Sequence, residues 1–548
     1  MSADAVLDWN AVALAAEAND HTSSIVAKAE QGGPTRSARA LAIVHAAIFD
    51  AVNSIDQSYT PYRVTRTFSK VASIDAAVAQ AAHDTLTALY PSQKAMFDTA
   101  LRESLAEIPG GVRELLGRAV GRYVAGVVLA ARKNDGSEIA VNYVEGTAPG
   151  EHRVDPLNIG QGYLTPGWGD IDGFAIDSTD AFFPPPPPEL TSAEYAAAFQ
   201  EVKDYGGDGV TTPTLRSAEQ TEIGIFWGYD GRPGLGAPPR LYNQIARVIA
   251  VQEGNTEVEN ARMFALLNIA QADAGVVAWD AKYDYNFWRP ILGIREADEG
   301  TGPSGLGDGN AATVGDPNWR PLGAPGSNGG VDFTPPFPAY ISGHATFGAA
   351  VFQTLAKFYG RDDISFSFTS DEFNDVTTDA QGNIRPAATR SFESFSEAAA
   401  ENAQSRIYLG VHWSFDASEG MTTGRAVADF VFDNILQPRS TNPGNGLDLE
   451  KIREMMHTAI RSDRVVDAIV QALARLETVP ERVERLLDRI ENLVSQRDAT
   501  SGRPARLIQA QINQTVARLV VELAISRRLG SDHGSRVAST DSVLECWT

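Results

Sequence analysis

The sequence predicts an all-α protein, and three observations predict it. Apolar residues recur at three- and four-residue spacing through most of the chain, the period of a helix with one buried face. Runs that alternate polar and apolar residues, as a half-buried strand would, are few. Past residue 446 the composition turns to Leu, Ile and Val interleaved with Arg and Glu, still at helical period.

The elements follow in order. Helices are expected at 6–16 and 37–52, at 72–89 where alanine dominates, and then at 101–108 and 113–132. From about 134 to 190 Gly, Pro, Asp and aromatic residues take over. That stretch ends in five consecutive prolines, 184–188, which read as an extended polyproline spacer crossing the surface. Helices resume at 192–202, 217–226, 240–252 and 258–284. A second irregular stretch, 299–338, is rich in Gly, Pro and Asn. Loops of this length inside a compact domain are usually functional or disordered, and its place between two chemically dense motifs favours function. After Asn442-Pro-Gly-Asn-Gly446 the tail reads as a helical extension that packs on the main domain or pairs with another copy. The boundaries expected are 1–445 for a catalytic domain and 446–548 for the extension, with a homo-oligomer as the expected assembly.

Composition narrows the function. The chain has 548 residues, 43% hydrophobic and 21% charged, the balance of a folded globular protein. A formal charge of −24 argues against a nucleic-acid footprint and against a polybasic membrane anchor. Any anion site must therefore gather its cations locally. The single cysteine, Cys546, allows no intramolecular disulfide and no thiolate metal cage. The first residues lack the basic and apolar regions of a secretory leader, so the cytoplasm is the default expectation, with a removed leader still compatible.

Three segments carry chemistry: Lys282-Tyr-Asp-Tyr-Asn-Phe-Trp-Arg289-Pro290, Ser342-Gly343-His344, and Ser405-Arg406-Ile-Tyr-Leu-Gly-Val-His412-Trp-Ser-Phe-Asp416. Singly, each has an ordinary reading. Lys282 and Arg289, seven apart, could be a solvated helix edge; Ser342 could be a plain N-cap; Arg406 could pair with a local acid; His412 could be a core histidine. Together they describe a phosphate-shaped site. Pro290 is expected to end the first helix beside Arg289, whose planar fork suits a tetrahedral oxyanion. Ser342 opens a helix, whose start offers free N–H groups and a positive dipole end. Gly343 lets an anion approach the backbone, and Gly410 should end the helix of Arg406 so that His412 aims elsewhere.

This combination resembles the family that unites vanadium-dependent haloperoxidases with type-2 phosphatidic acid phosphatases and bacterial acid phosphatases, whose pattern is KxxxxxxRP, PSGH and SRxxxxxHxxxD. One departure is visible: Ile341 stands where the pattern has proline, which leaves the backbone entering Ser342 less fixed than the pattern's. The length of the chain, and the stretches Trp9-Asn10, Ala38–His45 and Thr221–Trp227, look like the haloperoxidase branch over roughly residues 6–436. The resemblance implies two four-helix bundles framing a vanadate site. It implies that Lys282, Arg289 and Arg406 neutralise vanadate oxygens, with Ser342 and the Gly343 N–H as further donors. It implies that His412 ligates vanadium and that His344 shuttles protons, while Lys282 polarises peroxide. Asp416 and Glu222 are expected to orient His412 and the arginines. Trp279 and Phe337 look like chloroperoxidase residues that wall the halide approach, although spacing alone suits core packing equally. The partners implied are hydrogen peroxide, a halide and a small organic acceptor. An acid phosphatase using His412 as nucleophile, and a catalytically silent oxyanion-binding protein, are the alternative readings.

Overall fold

The computed structural model describes residues 4–439, 449–460, 462–474, 481–500 and 503–529; the turn at 442–446 and Cys546 lie outside them. The chain divides into two compact units, residues 1–437 and 438–548.

The first unit opens with α1 (Ala5–Asp20), α2 (Pro34–Asp56), α3 (Ile74–Leu89), α4 (Lys94–Glu107) and α5 (Val112–Ala131). After a long irregular segment come α6 (Ala193–Tyr205), α7 (Ala218–Phe226), α8 (Pro238–Glu253), α9 (Glu257–Tyr285) and α10 (Pro290–Arg295). It closes with α11 (Gly343–Tyr359), α12 (Phe395–Tyr408) and α13 (Ser414–Asn434). Between α11 and α12 lies the one sheet among the described residues, an antiparallel pair of β1 (Phe366–Thr369) and β2 (Thr389–Phe392), with Phe366 opposite Phe392. The all-α expectation holds.

Side chains that can satisfy free backbone N–H groups set several helix starts. Ser73, Ser192, Ser342 and Ser394 accept from the N–H three residues on, and Ser217 with Gln220 and Thr256 with Glu259 form reciprocal capping boxes. Each cap is worth about 1 kcal/mol. Helix α9 is buried almost continuously, on all sides, from Asn260 to Lys282, so it occupies the centre. It packs against α2 on one side and against α11 and α13 on the other, with α12 completing a four-helix bundle; α3 and α5 extend the α2 side. Helix α2 is long and apolar enough to cross a membrane, and here that apolar stretch is wholly buried in protein.

Buried carboxylates pin the irregular segments to this frame. Asp273 of α9 accepts from the N–H groups of Phe174, Ala175 and Ile176 at 2.6–3.1 Å. Asp50 of α2 does the same for Tyr62, Arg63 and Val64 at 2.8–2.9 Å. The proline run is extended: the Pro184 carbonyl accepts from the Tyr285 hydroxyl at 2.9 Å and the Pro185 carbonyl from Tyr340 at 2.5 Å.

The second unit contains α14 (Leu449–Ala459), α15 (Asp463–Ala474), α16 (Glu481–Asp498) and α17 (Arg503–Leu529). Their apolar stripes meet in a separate core that includes Met456, Val466, Leu473, Ile490, Ile512 and Leu519.

Candidate functional site

The last turn of α9 carries Lys282. The helix stops because Asn286 takes the left-handed conformation (φ 51°) and donates its N–H to the Lys282 carbonyl at 3.0 Å, a conformation Asn tolerates better than most residues. Arg289 is then extended, and Pro290 begins α10. This corrects the sequence expectation: Pro290 starts a helix, as its fixed φ and missing N–H favour, and Lys282 and Arg289 do not share a helix face.

Lys282 is fully buried, and its ammonium donates to the Pro338 and Ala339 carbonyls at 2.9 Å each. The Arg289 guanidinium donates to the carbonyls of Phe337 and Val411 at 2.8 Å, and its Nη1 lies 2.9 Å from His412 Nε2. Its Nη2 is buried without a hydrogen-bond partner among the described residues, as is Nε of Arg406. Orphaned donors of this kind are rare and point to a missing acceptor.

Ser342 caps α11, and its own N–H is fixed by the Asp416 carbonyl at 2.9 Å, so Ile341 in place of proline leaves the entry anchored. A Cβ on Gly343 would stand 3.3 Å from the Trp279 ring, closer than side chains normally pack. Gly410 (φ 71°) turns the chain between Arg406 and His412; a Cβ there would meet the Gly206 carbonyl oxygen at 2.5 Å. His412 Nδ1 lies 2.9 Å from Asp416 Oδ2, which also accepts the Trp413 N–H at 3.0 Å. That acceptor puts the ring proton on Nδ1 and leaves a lone pair on Nε2.

Gly343, His344, Arg406 and His412 line a cavity of about 600 Å³ together with Trp279 and Phe337. Lys282, Arg289 and Ser342 do not line it; they are fully buried, with the Phe337 ring 5.1 Å from the Lys282 ammonium and 4.9 Å from the Arg289 guanidinium carbon.

Burial sets the electrostatics. Burial, reinforced by Arg289, Lys282 and Arg406, holds the His412 imidazole well below its ordinary pKa. Burial and then Arg406 lower His344 to about 4. Lys282 is pushed well below the usual lysine range by burial and by Arg289, and Arg289 falls to about 9 through burial. Burial lifts Asp416 to about 7, against the pull of Lys282 and Arg289. Cations crowded into one dry place disfavour one another, and an anion among them would offset that strain.

Asp230 was not foreseen. Its carboxylate faces Arg406 Nη2 at 2.9 Å and Nη1 at 3.2 Å and stands 3.9 Å from His344 Nε2, which is itself 2.9 Å from the Gly228 carbonyl. It sits in the loop Gly228-Tyr-Asp230-Gly-Arg-Pro, where glycine density was the only local signal. His152, from the first irregular segment, was also missed. It is buried, neither ring nitrogen has a hydrogen-bond partner among the described residues, and burial with Arg289 and Lys282 holds it well below its ordinary pKa. Glu222, expected to support the site, pairs with Arg390 at 3.4 Å and is substantially exposed. The acid that does that work for Arg406 is Asp230.

A prediction follows from His344. Sulfate stays a dianion from pH 4 to 8. Bound here it would offset the Arg406 charge and raise His344 from about 4, so binding should take up a proton. Affinity then rises as pH falls through the bound pKa and levels near 4. Calorimetry in buffers of different ionisation enthalpy should show uptake that His344→Ala loses; unchanged uptake in the variant would assign the proton to Lys282 or His412.

Comparisons with known proteins agree on one family. The family described as VCPO second helical-bundle domain matches residues 262–440, which span α9 to α13. Vanadium chloroperoxidase from Curvularia inaequalis is 34% identical over 544 residues, covering 81% of this chain and 86% of its own. The crystal structure of a bacterial vanadium-dependent iodoperoxidase is similar at a TM-score of 0.62 and 24% identity, covering 79% of this chain and 97% of that one. A holo bacterial vanadium-dependent chloroperoxidase is similar at 0.56 and 16%, covering 73% and 91%. At these identities both structures speak for the fold alone.

Proposed function

Because the chain belongs to the vanadium haloperoxidase family, we propose that it holds vanadate in this cavity and oxidises halide with hydrogen peroxide, bromide readily and chloride as well. One observation carries the reading. Arg289 and Arg406 each bring an orphaned N–H donor close to His412, which offers a lone pair, and Gly343 and His344 at the start of α11 line the same cavity as Arg406 and His412. Among the described residues no cluster of three or more His, Cys, Asp or Glu could hold a metal ion. The donors present suit an oxyanion with one nitrogen ligand.

When bound, vanadate supplies the Lewis acid that activates peroxide toward halide. The chain's residues do the rest. His412, neutral through burial and held in one tautomer by Asp416, presents Nε2 as ligand, and Arg289 Nη1 must yield that position. Arg289, Arg406, Lys282 and the first N–H groups of α11 neutralise the oxyanion's charge. His344, with Asp230 beside it, takes up and returns a proton at the cavity face. Trp279 and Phe337, with ring centroids 4.8 Å apart, keep that face dry.

Equilibrium dialysis tests the cofactor assignment: metal-free protein should retain one equivalent of orthovanadate and hydrolyse p-nitrophenyl phosphate slowly, with vanadate as a competitive inhibitor. Fast phosphatase turnover with no halogenation would favour the phosphatase reading. For the halide, the Phe337 ring over two buried cations lowers the local dielectric, strengthening the Lys282 field. Phe337→His, which wets that wall, should reduce chloride turnover more than bromide turnover at mildly acid pH. A wild type that oxidises bromide but no chloride would refute this role for the two aromatic residues.

A further inference from the structure

The cavity is larger than the oxyanion needs. At about 600 Å³ it falls in the ~300–1,000 Å³ range of pockets that enclose small organic molecules. Beyond the residues already described, its wall includes the apolar Ile159, Leu164, Val331, Phe333, Pro335 and Pro336, with the polar His21, Asn158 and Gln161 among them. Ile159 and Val331 are 78% and 62% exposed, so apolar side chains stand in water beside an apolar hollow, the usual mark of a binding place.

One cation marks this outer wall. Arg232 lies two residues from Asp230 and lines the same cavity. Its guanidinium carbon is 4.1 Å from the Phe333 ring centroid, and Nη2 donates to the Val331 carbonyl. A Cβ on Gly330 would stand 3.1 Å from the guanidinium, so the glycine makes room for it. Nε is buried without a hydrogen-bond partner among the described residues. Three carboxylates act on Arg232 from nearby, and each has its hydrogen bonds elsewhere: Asp230 with Arg406, Asp332 with the Gly326 N–H and Glu372 with Arg385.

We propose that the outer part of this cavity is a binding subsite for the organic acceptor, an aromatic molecule whose acidic oxygen, carboxylate or phenolate, pairs with Arg232. The consequence for turnover rests on the haloperoxidase reading; the binding does not. With hypohalous acid formed at the oxyanion site, an electron-rich ring carbon attacks the halogen. The carbon–halogen bond forms, and the halogen–oxygen bond breaks with its pair leaving as hydroxide. The ring then loses its proton, which converts hydroxide to water. An acceptor held here meets the oxidant before it escapes.

The test is direct binding of 6-hydroxy-2-naphthoate, with uncharged 2-naphthol as its partner probe, to full-length vanadate-free protein at about pH 6. Saturable binding of both is expected. Arg232→Leu should weaken naphthoate about tenfold, the scale of one charge-assisted contact, and naphthol less than twofold. Ile159→Asp, at an exposed rim position that does not endanger folding, should weaken both. Absence of saturable binding, equal losses for both probes in Arg232→Leu, or no loss in Ile159→Asp would overturn the subsite. A protein that binds the probes as expected yet never halogenates would support the subsite and remove the haloperoxidase reading instead.

Discussion

His412→Ala is expected to abolish vanadate retention while leaving sulfate binding largely intact. The cations and the α11 N–H groups recognise any tetrahedral oxyanion, whereas only the lone pair on His412 Nε2 distinguishes vanadium as an acceptor. Residues that merely support a metal ligand typically cost ~10–100-fold in affinity when lost, so loss of the ligand itself should exceed that. The substitution leaves the Asp416 carboxylate with the Trp413 N–H and Arg289 Nη1 with the Val411 carbonyl. Destabilisation should therefore stay near the ~1–3 kcal/mol of a deleted buried partner, measurable by denaturant unfolding. Dialysis against vanadate and sulfate in parallel checks the claim. Equal losses for the two anions would make His412 a structural residue.

His344→Ala should do the reverse, keeping vanadate and losing turnover by ~10²–10⁴-fold, the range of a general acid–base group. His344 touches the cavity through a ring held near pKa 4, between the Gly228 carbonyl and Asp230. It is placed to move a proton and is not the lone pair that Arg289 shields. Steady-state kinetics with vanadate at saturation separates the effects, since kcat should fall with cofactor retention unchanged. Vanadate loss equal to that of His412→Ala would erase this division of labour.

The helices were legible because they depend on local spacing, and the three motifs of the candidate site were legible only in combination, since each alone has an ordinary reading. The apolar spacing of the helices and the Ser342 cap are written within a few residues of themselves. Asp230 was illegible for the opposite reason: its meaning lies in Arg406, 176 residues away, and a lone acid in a glycine-rich loop carries no period. Pro290 was misplaced because a proline can follow a helix or begin one, and Asn286 had already ended α9. Glu222 was assigned by analogy of neighbourhood, but α7 turns it toward Arg390. The Arg232 wall was hidden too, since its neighbours come from 159–164 and 330–336, both within the irregular stretches.

The central claim is that vanadate bound at this site lets hydrogen peroxide oxidise halide. It is tested most directly by halogenation of monochlorodimedone by purified, metal-free protein with peroxide and bromide from pH 4 to 8, with and without orthovanadate. The expected result is no reaction without vanadate and sustained halogenation once one equivalent is bound. No halogenation at any pH with vanadate, peroxide and bromide all saturating would contradict it.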